Sequence, residues 1–192
     1  MAMQRLNVQY SSPARLHGGF TLVELVSVLI IMGIIAAVAM PRFFNKQPFD
    51  VRAFSDQAQS MMRYAQKLAV AQNRDVHVRL NGTSIAFCFT AFAADGTCAS
   101  QVPAPLNLNS GSADTRARCN NSTTWLCEAI PGDVTYTIAP TIQGFFFNAL
   151  GKPFNVADTP PDSSFATITM SFSGGGLSQN IIVERETGYV HP

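Results

Sequence analysis

Gly18-Gly19-Phe20-Thr21-Leu22-Val23-Glu24-Leu25 opens an apolar run that continues to Met40 and stops at Pro41. As an α-helix rising about 1.5 Å per residue, Phe20 to Met40 would be roughly 31 Å long. A bilayer core is about 30 Å thick, so the run predicts a membrane-spanning helix over 20–40. Glu24 is the one charged side chain in it. A charge inside a membrane helix costs on the order of 2.5–3.5 kcal/mol even on insertion scales. A carboxylate kept there reads as functional. The bland alternative is that Glu24, near the helix start, snorkels to the interface.

These residues resemble the type IV prepilin signature, in which G|FTLxE marks the processing site of pilins and pseudopilins. The resemblance covers about residues 18–41. It implies that Gly19 ends a leader and Phe20 begins the mature chain. It also implies that a prepilin peptidase cuts between them and N-methylates Phe20. In the family the Glu24 carboxylate pairs with a Phe20 amino group, usually that of a neighbouring subunit, and so sets the register of assembly. Pro41 stands where the family often carries a helix-kinking proline. The implied partners are the prepilin peptidase, other pilin or pseudopilin subunits, the inner-membrane assembly platform and the inner membrane.

The organisation expected is a leader over 1–19, a transmembrane and assembly helix over 20–40, an amphipathic segment over 41–74 and a β-domain over 75–192. The leader carries Arg5 and Arg15 and no acid. An ordinary secretory signal has its apolar region before the cleavage site. Here it follows, so cleavage would leave the anchor on the mature protein. The positive-inside rule keeps a basic leader cytoplasmic and sends the rest to the other side, the periplasm of a bacterium. The formal net charge of the whole chain is only +1, which gives no bulk electrostatic support for nucleic-acid binding. Nucleic acid is not an expected partner.

Four cysteines, Cys88, Cys98, Cys119 and Cys127, all fall on the predicted periplasmic side, where disulfides persist. Three pairings are possible and sequence cannot choose among them. Short loops favour the sequential one, Cys88–Cys98 and Cys119–Cys127. A zinc site is the rival, but no Cys-x-x-Cys pair is present and the spacings are wider than finger-type sites use. No metal and no cofactor are expected.

After Pro41, Phe54, Ala58, Met61, Met62, Ala65, Leu68 and Ala69 recur at spacings of three and four, which predicts an amphipathic helix over about 51–73. The period then becomes two at Val76, Val78 and Leu80. Asn81-Gly82 predicts a two-residue type I′ hairpin, with a return strand over 84–92. From Ala99 to Asp133 the pattern dissolves into Pro, Asn, Ser and Gly, which predicts a surface excursion stapled by Cys119 and Cys127. Strands resume at 134–138, 144–147, 166–172, 180–184 and 189–190. The Gly174-Gly175-Gly176 run lacks the lysine and following helix of a phosphate loop and reads as a hairpin connection.

Three stretches of this second half resemble the pseudopilin H and FimT-like group of minor pilins. They are Met62-Arg63-Tyr64-Ala65-Gln66 with Leu68 to Asn73, Phe147-Asn148-Ala149-Leu150-Gly151, and Ile182-Val183-Glu184 leading to Thr187-Gly188-Tyr189-Val190. Within the group the chain resembles minor pilins of mannose-sensitive haemagglutinin pili. The resemblance implies an α+β fold: a long N-terminal helix, half membrane-spanning and half amphipathic, packed on an antiparallel β-sandwich. The resemblance does not extend to the cysteine-bearing excursion.

An enzyme is not expected. The histidines are His17, His77 and His191, and there is no HExxH, G-x-S-x-G or Walker loop. No nucleophile–base pair can be proposed. Some FimT-like pilins take up DNA through a C-terminal Gly-Arg-x-Arg motif. The end of this chain lacks it, and the nearest match is Arg116-Ala117-Arg118. Two loop arginines beside Asp114 more often form a solvated surface. The leading expectation is a minor pilin or pseudopilin that is processed, then built into or initiating a type IV pilus-like filament. The alternatives are a type II secretion pseudopilin, or a tip module that binds DNA, a glycan or a surface.

Overall fold

The computed structural model describes residues 19–43, 46–105 and 108–192. Residues 1–18 of the expected leader, with Arg5 and Arg15, lie outside the described residues, as do the side chains of 39–43. The kink expected at Pro41 therefore has no described side chain to rest on. The chain divides into two compact units, Met1–Phe44 and Asn45–Pro192.

The first unit is helix α1, Leu22–Phe43. It passes through Pro41 instead of stopping there, so the proline's missing N–H removes one backbone bond inside the last turn. Its apolar side chains are exposed all round, from Leu22 through Ile31 to Val38. Among the described residues, no helix is long and apolar enough to cross a membrane. The described side chains of α1 cover about 25 Å at about 1.5 Å per residue, short of the roughly 30 Å of a bilayer core. The span expected over 20–40 includes Ala39 and Met40, whose side chains are not described.

The second unit begins with helix α2, Gln47–Gln72, with Pro48 in its first turn. Proline fits there because its absent N–H would have no partner anyway. Asn73 ends the helix in the left-handed region at φ 48°, a conformation asparagine tolerates. One stripe is buried: Val51, Phe54, Ala58, Met61, Met62, Ala65 and Ala69. Leu68 of the predicted stripe is only partly buried.

Among the described residues, nine strands form two antiparallel sheets. The first contains β1 (Val76–Leu80), β2 (Ser84–Cys88), β3 (Cys127–Ala129), β5 (Gly144–Phe147) and β6 (Pro153–Asn155), in the order β3-β2-β1-β5-β6. The second contains β4 (Thr135–Ala139), β7 (Ile168–Gly174), β8 (Leu177–Val183) and β9 (Val190–His191), in the order β4-β7-β8-β9. Helix α2 packs against strands of both sheets. One core joins the α2 stripe to Val78, Phe87, Phe145 and Phe147 of the first sheet and to Met170, Phe172 and Ile181 of the second. The fold is α+β, with the helix on antiparallel sheets.

Several local expectations change. Leu80 pairs with Ile85, so the β1–β2 connection has four residues and is not a type I′ turn. Asn81 does not adopt positive φ; its Oδ1 instead accepts the backbone N–H groups of Thr83, at 3.1 Å, and Ser84, at 2.9 Å, forming an Asx turn. A two-residue hairpin occurs elsewhere. Gly174 pairs with Leu177, and Gly175 and Gly176 both have positive φ, as such a turn requires. The return strand ends at Cys88 rather than residue 92, because the chain turns away to reach Cys98. Strand β6 was not legible, since Pro153-Phe154-Asn155 has no alternation and begins with proline.

Candidate functional site

The N-terminal segment is built around Thr21. Gly19 and Phe20 precede α1 and are exposed, Phe20 at 78%. The Thr21 hydroxyl accepts the Glu24 backbone N–H at 3.2 Å, and the Thr21 carbonyl accepts that of Leu25 at 3.1 Å. Thr21 is therefore the N-cap of α1. Glu24 sits in the first turn, where the helix dipole favours a carboxylate. Thr-x-x-Glu is the sequence signature of this start, and it was available to sequence reasoning. Gly19 and Phe20 lie outside the helix, immediately before its N-cap, with Glu24 one turn inside.

The excursion over 99–133 is a folded lobe, which corrects the expectation of a patternless loop. It contains helix α3, Ala113–Arg118, and strand β3, which lengthens the first sheet by pairing with β2. Val102 and Leu126 enter the main core. Ala86, Cys119, Trp125 and Cys127 form a second core, with Phe92 and Cys98 packed against it. Strand β2 is thus buried on both faces. Disulfides join Cys88 to Cys98 and Cys119 to Cys127, each with a Cα–Cα distance of 5.8 Å.

Two buried groups order this lobe. The Trp125 indole donates to the Phe87 carbonyl at 2.6 Å. Glu128 is a buried acid that accepts from the Ser110 backbone N–H at 2.7 Å and from the Ser110 and Thr115 hydroxyls. These donors replace the water a carboxylate loses on burial. Nothing in the sequence marked Glu128. Its donors lie 18 and 13 residues away in sequence, and only the fold brings them close.

The loop arginines are separated. Arg118 lines a cavity with Arg79, whereas Arg116 does not. Arg79 of β1 escaped sequence reasoning because it stood at a polar position of an alternating strand. Burial pushes its guanidinium below the ordinary arginine value, and burial likewise lowers His77.

The three stretches that carried the minor-pilin resemblance meet at one corner. Gln66 Nε2 of α2 donates to the Gly151 carbonyl at 3.1 Å and to the Thr187 carbonyl at 2.8 Å. Arg63 Nε donates to the Val190 carbonyl at 2.9 Å. Gly188 has φ 66°, and a Cβ there would run into the Gly151 carbonyl. The glycine is needed for both reasons.

Residues 15–40 match the family described as "Prokaryotic N-terminal methylation motif". No curated protein matches the chain. Among solved structures, the chain is similar to the type IV minor pilin FimU of Pseudomonas aeruginosa, at 15% identity and a TM-score of 0.47, over 76% of this chain and 90% of that one. It is also similar to the minor pseudopilin EpsH from the Type 2 Secretion System of Vibrio cholerae. There the identity is 11% and the TM-score 0.45, over 74% of this chain and 94% of that one.

Proposed function

We propose that the chain is a minor pilin or pseudopilin, held in the bacterial inner membrane by its N-terminal helix before assembly. The observation that carries this reading is the methylation motif over 15–40. It is supported by the apolar, exposed surface of α1, which needs cover from lipid or from neighbouring helices. In this reading the peptidase cuts between Gly19 and Phe20 and methylates the new amino group. Glu24 then meets the Phe20 amino group of a neighbour, and pairing the two charges in a dry bundle offsets their desolvation.

The subunit is a minor one, placed near the start of the filament. The stapled lobe supports this, because it adds bulk that a close-packed fibre would have to accommodate at every repeat. Mass analysis of membrane-extracted protein tests processing: the expected N-terminus is N-methylated Phe20, and an intact Gly19–Phe20 junction beside an active peptidase overturns it. Glu24→Ala should leave membrane insertion intact and lower incorporation into sheared filaments. Stoichiometry equal to that of the main subunit would overturn the minor role.

A further inference from the structure

Arg79 stands at the junction of two cavities that neither filament assembly nor processing uses. One, of about 350 Å³, is lined by His77, Arg79, Asn81, Phe92, Gln143 and Val156 among others. The other, of about 210 Å³, is lined by Arg79, Asp95, Gln101, Arg118, Asn120 and Trp125 among others. Arg79 and the 95–96 turn border both. That turn belongs to the loop closed by the Cys88–Cys98 disulfide, so covalent chemistry holds the shared wall.

The guanidinium is only partly satisfied. Nη1 donates to the Gly96 carbonyl and Nη2 to the Ser84 hydroxyl at 3.2 Å. Nε is buried with no hydrogen-bond partner among the described residues. Among the described residues, no carboxylate forms an ion pair with Arg79. Its Cζ lies 5.2 Å from the Phe92 ring centroid and 5.9 Å from that of Trp125, within cation–π reach. A partly desolvated cation without a counter-ion gains most from an anionic ligand.

The surrounding groups narrow the class. Asp95 is the one carboxylate in the two linings. Its Oδ1 accepts from the Thr97 N–H at 2.9 Å and the Thr97 hydroxyl at 2.7 Å, which leaves its other oxygen for ligand hydroxyls. Arg118 adds a second cation to the lining of the smaller cavity. Asn81, Gln143, Gln101 and Asn120 supply amides, which both donate to and accept from hydroxyls. Phe92 and Val156 supply apolar wall. A compact ligand with one carboxylate, several hydroxyls and an apolar face fits this set. A polyanion backbone does not, because its phosphates need a row of exposed cations.

We propose that the two cavities around Arg79 form a binding site for a sugar acid, free or at the end of a glycan, with Arg79 holding the carboxylate. The site needs neither processing nor assembly, so its test is independent of the filament reading. Trp125 is the single tryptophan of the chain and borders the second cavity, which makes it a built-in reporter. The experiment titrates the full chain in detergent with glucuronate, glucose and inorganic phosphate, following Trp125 fluorescence.

A saturable change with glucuronate and none with glucose is expected. Arg79→Gln should weaken the apparent affinity by about tenfold or more, the usual effect of losing a charged hydrogen bond. Arg118→Gln should weaken it less. Non-reducing mass mapping of Arg79→Gln checks that both disulfides still form, and if that variant does not fold, Arg118→Gln carries the comparison. No saturable response to glucuronate overturns the proposal. So does a glucuronate response unchanged by the arginine substitution, or an equal response to phosphate.

Discussion

Helices α1 and α2 follow one another in the chain and distribute their apolar side chains in opposite ways. In α1 they point in every direction and stay exposed, Ile31 at 56%. In α2 most of them form one stripe that is covered by the two sheets, with Phe49 and Val70 left exposed. An amphipathic helix completes itself against its own chain. A helix that is apolar all round has no polar side to give to water, so its cover must come from lipid or from other helices. The difference teaches that total hydrophobicity and its periodicity carry separate information. Stability of the second unit is an internal matter, whereas the fate of the first is decided by what surrounds it.

The comparison breaks most sharply at Phe172, which is fully buried and packs on Phe54 and Tyr136 with ring centroids 5.3 Å away in each case. Phe172→Ala should destabilise the second unit by about 3–5 kcal/mol, the usual loss for an aromatic truncated in a core. Chemical denaturation should show it, with membrane extraction unchanged. The reciprocal change is Ile31→Asp in α1. It should cost about 2.5–3.5 kcal/mol of insertion and release protein from carbonate-washed membranes. Its denaturation midpoint should stay that of the parent. If either variant moved both readouts, the two regions would not be independent.

A third test sharpens the contrast within the second unit. Replacing Cys119 and Cys127 together by serine should cost roughly 2–4 kcal/mol and expose Trp125, visible as a red-shifted emission. The α2 core should keep its protection from hydrogen exchange. Simultaneous loss of both would mean that the lobe and the main core unfold as one.

The smallest effect is pH-dependent. The Asp158 carboxylate accepts from the Asn155 N–H at 2.7 Å, the Ser164 N–H at 2.9 Å and the Ser164 hydroxyl at 2.6 Å. These bonds, the Ser164 hydroxyl foremost, hold it below its ordinary value of 3.8. A depressed acid contributes stability that is present above its unfolded value and lost as pH falls through the folded one. The loop over 155–164 should therefore loosen below about pH 4. Asp158→Asn should flatten that response in amide exchange of Ser164 while leaving α1 insertion untouched.

Much of the fold was legible because periodicity maps directly onto burial. The α2 stripe and the alternation in β1 each name one face, and one face is enough to place a helix or strand. The Phe145-Phe146-Phe147 run was readable as a buried strand for a related reason: Phe146 packs on Phe154, 5.3 Å away, and Phe145 and Phe147 face the core. The excursion was not legible. Its buried residues, the isolated Val102, Thr115 and Cys119 and the unbroken run over 125–130, follow no period. The donors that satisfy Glu128 come from a turn and a short helix. At Asn81-Gly82 the dipeptide signal was outweighed by the asparagine side chain, which accepts the N–H groups of Thr83 and Ser84.

The amino-acid sequence is enough to read the N-terminal segment: Gly19, Phe20, Glu24 and the apolar run are contiguous, so their relation needs no folding to be seen. It also determined that α2 has one side to bury. Only the tertiary structure decided that the excursion covers the outer face of β2 and that Gln66 ties Gly151 to Thr187. It alone left Arg79 between two cavities with no ion pair among the described residues. Those relations join residues far apart in the chain, and contacts of that kind exist only once the backbone has closed the loops between them.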